Sequence, residues 1–248
     1  MIKLNRGIKP KILQDNEHAW LEALKSAIST YGSYSSIPEK EKSQLISHYR
    51  HDAIKDSLFL SSFEKCAFCE CKPAEGGNIE VEHFLPKSIH PNLTFEWNNL
   101  LPSCRKCNGS KLDHDTAVRP LVNPYDTNPE DVFHYTDIRI SPRDQNDIGK
   151  TTIEVFSLNS VRLMRPRADI LISLNSFCFS IEDALNDYYE SGTDRKRSNR
   201  LRKISEAIEG IEQLTLPSEK YSGFCKSYLN TCEPYLKAKS LLELKNTP

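Results

Sequence analysis

The residues whose types and spacing could perform chemistry lie in the first half of the chain, around five closely spaced cysteines. Two C-x2-C pairs, Cys66 with Cys69 and Cys104 with Cys107, are separated by 34 residues. Two residues between the thiols let both sulfurs of a pair reach one tetrahedral ion, and four thiolates suit zinc. Such a shell has no position left for water, so the pattern predicts a structural zinc site. Cys71 could replace Cys69, although Cys69 has the better spacing from Cys66.

A second group of side chains offers the parts of a hydrolytic site. Glu82 and His83 are adjacent, Lys87 follows them, and Asn108 and Lys111 come after the second cysteine pair. A neutral imidazole, with an unperturbed pKa of about 6.5, can take a proton from water. Oxygens of Glu82 and Asn108 suit Mg²⁺ or Mn²⁺, and Lys87 and Lys111 could hold phosphate. A base, a cation and phosphate contacts are what phosphodiester hydrolysis needs.

A short helix that begins at the second cysteine pair would position half of these groups. It is predicted over about residues 104–113, with Ser103 as its N-cap. One face of this helix carries two thiols, an amide and an ammonium at positions i, i+3, i+4 and i+7, namely Cys104, Cys107, Asn108 and Lys111.

A strand over about residues 79–84 is the expected partner of this helix, because it lies inside the same zinc-closed loop. Adjacent residues of a regular strand face opposite sides, so Glu82 and His83 can share a site only if the strand ends or bulges there. Pro86, just downstream, favours an ending.

Together these motifs resemble the HNH endonuclease motif with its ββα-metal fold. The resemblance implies that His83 is the general base and that Asn99 is the central asparagine, which holds the loop and orients the base. It also implies that Glu82 and Asn108 are ligands of a catalytic divalent ion, although Asp is usual at the first position and His is frequent at the second. The motifs that carry the resemblance are the two C-x2-C pairs, EHFLPKS at 82–88, NNLL at 98–101, and the N-x2-K that ends at Lys111.

Weaker motifs extend the likeness over about the first two-thirds of the chain. They resemble the HNH nucleases of the Septu phage-defence type, called PtuB, which are also found next to retrons. This resemblance implies a PtuA-like ATPase partner, a nucleic-acid substrate and, through that complex, a retron reverse transcriptase with its RNA–DNA product. The motifs are MIKLNR at 1–6, Trp20, RPLVNP at 119–124, and TTI at 151–153 with LN at 158–159.

The rest of the chain carries structural patterns and one basic run. Helical periodicity covers residues 10–60 and most residues after 160, and the alternation at 132–140 and 151–158 predicts a strand pair. Three isolated cysteines, Cys178, Cys225 and Cys232, are expected to be buried free thiols. The basic run could bind nucleic acid or a partner, or be a solvated helix face, and its cations are Arg195, Lys196, Arg197, Arg200, Arg202 and Lys203.

The composition sets the broad class of the protein. The chain has 248 residues, of which 38% are hydrophobic and 27% charged, and its net charge of -1 means that phosphate contacts must come from local patches. No apolar stretch of about 18 residues predicts a membrane span, and the start lacks the apolar run of a signal peptide. A cytoplasmic protein is expected.

We therefore expect an α+β fold in which a ββα-metal core with a four-cysteine zinc staple is embedded in mostly helical flanks. The core with its strand pair is assigned to residues 61–160, between a helical segment at 1–60 and a helical region at 161–248 that could dock a partner or nucleic acid. The expected activity is that of a metal-dependent endonuclease, with DNA favoured. The alternatives are an RNase of the same fold acting on structured RNA such as tRNA, and a non-catalytic zinc module that scaffolds an ATPase.

Overall fold

The computed structural model describes residues 1–76 and 79–246 of the chain. Over these residues the fold is helix-rich and contains two small antiparallel sheets. In the described ranges, no helix combines the length and the apolar character that crossing a membrane requires. The strands are β1 (Ile79–His83), β2 (Leu100–Cys104), β3 (Phe133–Thr136) and β4 (Arg139–Pro142). The helices are α1 (Lys11–Tyr31), α2 (Glu39–Ile46), α3 (Asp52–Ser61), α4 (Arg105–Lys111), α5 (Pro129–Val132), α6 (Asp147–Val155), α7 (Val161–Glu190), α8 (Asp194–Glu212), α9 (Ser222–Leu229) and α10 (Glu233–Asn246).

Internal contacts divide the chain into two compact units. The first unit comprises residues 1–133 and 142–158, and the second comprises residues 134–141 and 159–248. Both cysteine pairs and the candidate hydrolytic residues belong to the first unit.

Helices α1 to α3 supply half of the buried residues of one apolar cluster in the first unit. Leu13 and Leu24 of α1 are fully buried against the same cluster as Leu58 of α3. Burying one such side chain stabilises the fold by about 1.5–3 kcal/mol. Val81 of β1 and Leu100 of β2 belong to this cluster, so the apolar core anchors the strand pair that carries the candidate site.

Strands β1 and β2 pair with each other, and α4 follows β2 directly and packs against both. The strand expected over about residues 79–84 is therefore confirmed. The ββα resemblance implies a second strand but does not locate it, and Pro102, which has no amide donor for a ladder, lies within the strand that the structure shows. In the structure the carbonyl of Pro102 accepts a hydrogen bond from the amide of Ala67 (3.0 Å). The register pairs Ile79 with Cys104, Glu80 with Ser103, Val81 with Pro102, Glu82 with Leu101 and His83 with Leu100.

The strand pair expected from residues 132–140 and 151–158 is wrong in its second half. Strand β3 pairs instead with the neighbouring strand β4, and residues 147–155 form helix α6. The side-chain oxygen of Asn146 caps α6 by accepting a hydrogen bond from the amide of Gly149 (2.8 Å). This N-cap starts a helix in a segment whose short alternation of threonine and apolar residues is typical of a strand.

Cys178 of α7 and Cys232, which precedes α10, form a disulfide within the second unit. The expectation that they are free thiols is therefore wrong, whereas Cys225 is a buried thiol outside this disulfide, as expected. Because α7 packs against α10, two cysteines that are 54 residues apart in the chain come together. Spacing in the sequence does not reveal such a pairing.

Gly149 offers a test of how α6 packs. A Cβ atom at this position would lie 2.9 Å from Cγ1 of Val132 and 3.1 Å from Cβ of Pro142. Gly149→Ala should therefore lower the free energy of unfolding by about 1–3 kcal/mol, although alanine is the better helix former. Gly210→Ala in α8 is the matched control, since its Cβ would meet nothing within 4 Å. Urea denaturation measures both variants, and a gain in stability for Gly149→Ala would contradict the packing.

Candidate metal centre and active site

Four cysteine sulfurs meet where β2 becomes α4. The Sγ atoms of Cys66, Cys69, Cys104 and Cys107 all lie within 4.8 Å of one another, and all four residues are buried. The first pair is tied to β2 by the hydrogen bond between Ala67 and Pro102 described above. The N-cap of α4 is Cys104 and not Ser103 as expected, because the Cys104 sulfur accepts a hydrogen bond from the amide of Cys107 (3.4 Å).

This cluster can hold a metal ion such as zinc. Around a tetrahedral ion with Zn–S bonds of about 2.3 Å, neighbouring sulfurs lie about 3.8 Å apart. The sulfurs of Cys69 and Cys104 are separated by 3.8 Å. Burial raises the pKa of the Cys66 thiol well above its usual range, so a cation is needed to hold this group as thiolate. The donor chemistry and the spacing therefore both fit zinc.

Cys71 lies at the edge of this centre. Its sulfur is 3.4 Å from that of Cys69, but the residue is only partly buried and lies outside the group of four mutually close sulfurs. The preference for Cys69 over Cys71 as a ligand agrees with this arrangement.

One turn beyond the cysteines, α4 presents an ammonium to β1. Lys111 is 2% exposed, and its Nζ donates to Oε1 of Glu82 (3.0 Å) and to the carbonyl of His83 (2.7 Å). The Lys111 ammonium that donates both hydrogen bonds is buried inside the first unit. Lys111 is therefore engaged within the site, and Lys87, which is half-buried, is the nearby lysine left to contact phosphate.

Glu82 has one oxygen that its neighbours leave unsatisfied. Oε1 is bound by Lys111, but Oε2 is buried and finds no hydrogen-bond partner among the described residues. Burial raises the pKa of Glu82 to about 7, and the charge of Lys111 only partly offsets this effect. A cation at Oε2 would compensate the buried carboxylate.

Asn108 contacts a carboxylate that the sequence analysis missed. Its Nδ2 donates to Oε2 of Glu80, two residues before Glu82 on the same strand. Residues i and i+2 of a strand face the same side, so both glutamates face α4. That periodicity is the signal that would have added Glu80 to the candidate site.

His83 lies on the opposite face of β1, and the structure does not join its ring to the Glu82 carboxylate. The ring is buried, and Nε2 bonds to the carbonyl of Thr94 (2.9 Å). Because a carbonyl only accepts, Nε2 carries the proton and Nδ1 is the free acceptor. Burial, with the nearby charges of Lys87, Lys111 and Arg50, lowers the pKa of His83 to about 3, so the imidazole is neutral.

Asn99 holds the loop that connects β1 to β2. Its Oδ1 accepts from the amide of Leu85 (2.7 Å), and its Nδ2 donates to the carbonyls of Leu85 (3.0 Å) and Leu93 (3.1 Å). Three hydrogen bonds from one buried amide fix the segment that includes Thr94, the partner of His83. These contacts of Asn99 agree with the role of holding the loop that the resemblance implies.

The basic run forms the first half of α8 in the second unit, and its arginines are partly neutralised. Arg200 pairs with Asp187 (2.9 Å), Arg202 pairs with Glu206, and Arg197 is 3.8 Å from Asp194. Among the residues that the structure describes, the cations of this run that have no ion pair are Arg195, Lys196 and Lys203.

Comparison with known proteins identifies relatives of the chain. No family model matches it. It is 35% identical over 194 aligned residues to "Septu protein PtuB" of Bacillus thuringiensis, which covers 76% of this chain and 73% of that protein. It is 24% identical over 248 aligned positions to "Septu protein PtuB" of Bacillus mycoides strain KBAB4, with 86% and 82% covered. "Protein ea31" of Escherichia phage lambda is 42% identical over 73 residues, which are 28% of this chain and 24% of that protein. Given the identity and coverage of the first of these relatives, the chain belongs to the PtuB family of Septu proteins.

Proposed function

We propose that this chain is a metal-dependent HNH endonuclease that hydrolyses phosphodiester bonds of nucleic acid, with DNA favoured. The observation that carries the proposal is the buried Oε2 of Glu82, which has no partner among the described residues and lies on the strand that ends at His83. A buried carboxylate oxygen left without a partner is costly, and a divalent cation is the compensation that such a site can use. The order of β1, β2 and α4 agrees with the ββα core that the HNH resemblance implies.

Glu82 and Asn108 would hold the catalytic Mg²⁺ or Mn²⁺, with the carboxylate of Glu80 beside them. When bound, the cation would neutralise charge on the phosphate and on the leaving oxygen. Lys111 keeps the Glu82 carboxylate oriented toward α4, and Asn108 is in turn oriented by Glu80. A scaffold without activity would need only the cysteines, so these buried carboxylate contacts favour catalysis over the non-catalytic zinc module.

His83 is proposed as the general base. A water molecule attacks phosphorus, its proton passes to Nδ1 of His83, and the bond from phosphorus to the leaving oxygen breaks. The carbonyl of Thr94 fixes the tautomer by accepting from Nε2, and Asn99 holds the loop on which Thr94 lies. Burial leaves the ring neutral but lowers its pKa to about 3, and the negative charge of a bound phosphate would raise this pKa toward the range that a general base needs.

The proposed setting is anti-phage defence in the cytoplasm, in a complex with an ATPase of the PtuA type. The name shared by the two PtuB relatives supports a role in a Septu system. Where such a system stands beside a retron, the complex would also meet the reverse transcriptase and its RNA–DNA product. Arg195, Lys196 and Lys203 of α8 are the cations proposed to contact nucleic acid or the ATPase, since their charges are not neutralised by ion pairs within the described part of the chain.

The zinc is proposed to be structural and separate from the catalytic ion. Structural zinc contributes on the order of 10 kcal/mol to small zinc-dependent folds. Cys104→Ser should therefore lose the ion and unfold or aggregate, whereas Cys71→Ser, the matched control, should keep about one zinc per chain and the parental stability. Metal analysis of washed protein, combined with thermal denaturation, measures both. A stable, zinc-free Cys104→Ser protein would contradict this assignment.

The proposed function is tested by removing the base. His83→Ala removes no cysteine ligand, so the variant should fold and keep its zinc while single-turnover cleavage falls by about 10²-fold or more. His114→Ala, at a half-buried histidine after α4 whose Nε2 bonds to the carbonyl of Arg119, is the control and should cut at the parental rate. The assay uses DNA and RNA substrates, added Mg²⁺ or Mn²⁺, and the ATPase complex where it is required. Parental cleavage by folded His83→Ala protein would refute the base assignment.

A further inference from the structure

The ring of Tyr49 is surrounded by one histidine and two cations. Tyr49 lies in the 3-10 turn Ser47–Arg50, is 4% exposed, and meets the His83 ring nearly edge-on, with 4.6 Å between centroids and an interplanar angle of 83°. The guanidinium carbon of Arg50 and the Nζ of Lys87 each lie 5.3 Å from the Tyr49 centroid. Arg50 also donates from Nε to the Tyr49 hydroxyl (3.1 Å). Through Tyr49, both cations therefore lie near the candidate base His83. Arg50 comes from the turn before α3, and Lys87 comes from the loop after β1.

Among the described residues, the charges of Arg50 and Lys87 are not held in ion pairs, although Lys87 acts at longer range on the buried Glu82 carboxyl and opposes the rise in its pKa. Within residues 1–76 and 79–246, neither side chain forms an ion pair with a carboxylate. The buried neutral histidine next to them adds no compensating charge. An anion that reached both cations would be attracted by both charges.

The geometry of Arg50 favours a phosphate as that anion. Its Nε is occupied by the Tyr49 hydroxyl, which leaves the two terminal NH2 groups of an exposed guanidinium for an external ligand. A fork of this kind binds two oxygens of one phosphate, whereas the single ammonium of Lys87 adds a point charge. The position beside His83 means that a phosphate held here would have its phosphorus close to the proposed base.

We propose that Arg50 and Lys87, positioned by Tyr49, form a phosphate clamp that holds the nucleic-acid backbone at the bond facing His83. The clamp rests on the proposed nuclease function and adds a substrate-binding site to it. Arg50 and Lys87 contact the backbone and do not read bases, so the clamp binds the phosphates of any sequence. Tyr49 is a positioning residue that fixes where the two cations stand.

The clamp is tested by binding first and by cleavage second. Arg50→Gln/Lys87→Gln is introduced into the His83→Ala protein, in which cleavage should be slowed by about 10²-fold or more. Binding of a short fluorescein-labelled DNA duplex is then followed by anisotropy over a range of salt concentrations. The slope of log affinity against log salt should fall by about 1 for each cation removed. The charge-matched control is Lys11→Gln/Lys40→Gln, at two exposed lysines of α1 and α2, which should leave affinity and slope unchanged.

Cleavage by the same substitutions in the His83-containing protein shows whether the clamp acts at the scissile bond. Single-turnover cleavage should fall by about 10²-fold, and Arg50→Lys should recover part of the rate that Arg50→Gln loses, because it restores the charge without the fork. A structural role alone would not give this graded rescue.

Three results would overturn the clamp. The first is parental affinity, slope and cleavage in the double variant while His83→Ala is inactive, which leaves the nuclease function standing. The second is an unchanged oligonucleotide affinity combined with loss of the ATPase from the purified complex, which would make the pair a protein-docking site. The third is cleavage at the parental rate by folded His83→Ala, which refutes the base assignment, and with it a clamp at the bond facing His83, while the nuclease activity stands.

Discussion

The convergence of four cysteine sulfurs at the junction of β2 and α4 is the constraint on which the rest of the site depends. Cys104 is at once the last residue of β2 and the N-cap of α4, so the same sulfur centre fixes where the strand stops and where the helix begins. Side chains follow one another around a helix at about 100° per residue. A rotation of α4 would carry Lys111 away from Glu82, and Asn108 away from Glu80. The sulfur centre therefore sets the polar contacts of β1 through the orientation of one short helix.

Strand β1 ends at His83, and two environments that a hydrolytic site needs meet at this strand end. Glu82 faces α4, where a buried carboxylate and an ammonium can organise a cation, and His83 faces the apolar side, where burial keeps an imidazole neutral. The two side chains are adjacent in sequence, yet they meet different neighbours because a strand alternates its faces. Lys111 connects the two environments, since it donates to the carboxylate of Glu82 and to the main-chain carbonyl of His83. In the proposed clamp, Arg50 and Lys87 would bind a substrate phosphate on the side of β1 where His83 lies.

Local signals account for what could be predicted from the sequence. The C-x2-C spacing predicted the sulfur centre, and helical spacing predicted that Asn108 and Lys111 share a face. Contacts between distant segments do not follow from local patterns. The position of β2, the partnership of Glu80 with Asn108, and the approach of the 47–50 turn to His83 were therefore not predicted. Residues 151–158 were misread because the cap that starts α6 lies upstream of their alternating pattern. The pairing of two isolated cysteines in the second unit likewise depends on helix packing.

The central claim is that a divalent cation binds at the unsatisfied oxygen of Glu82, and a crystal structure of the His83→Ala protein grown with Mn²⁺ tests it most directly. Anomalous scattering distinguishes Mn²⁺ from zinc by the wavelength at which each signal appears. We expect a manganese peak within coordination distance of Glu82 Oε2 and a separate zinc peak at the centre of the four cysteine sulfurs. A structure with manganese in excess, in which Glu82 remains bound to Lys111 and no manganese lies near its carboxylate, would contradict the account.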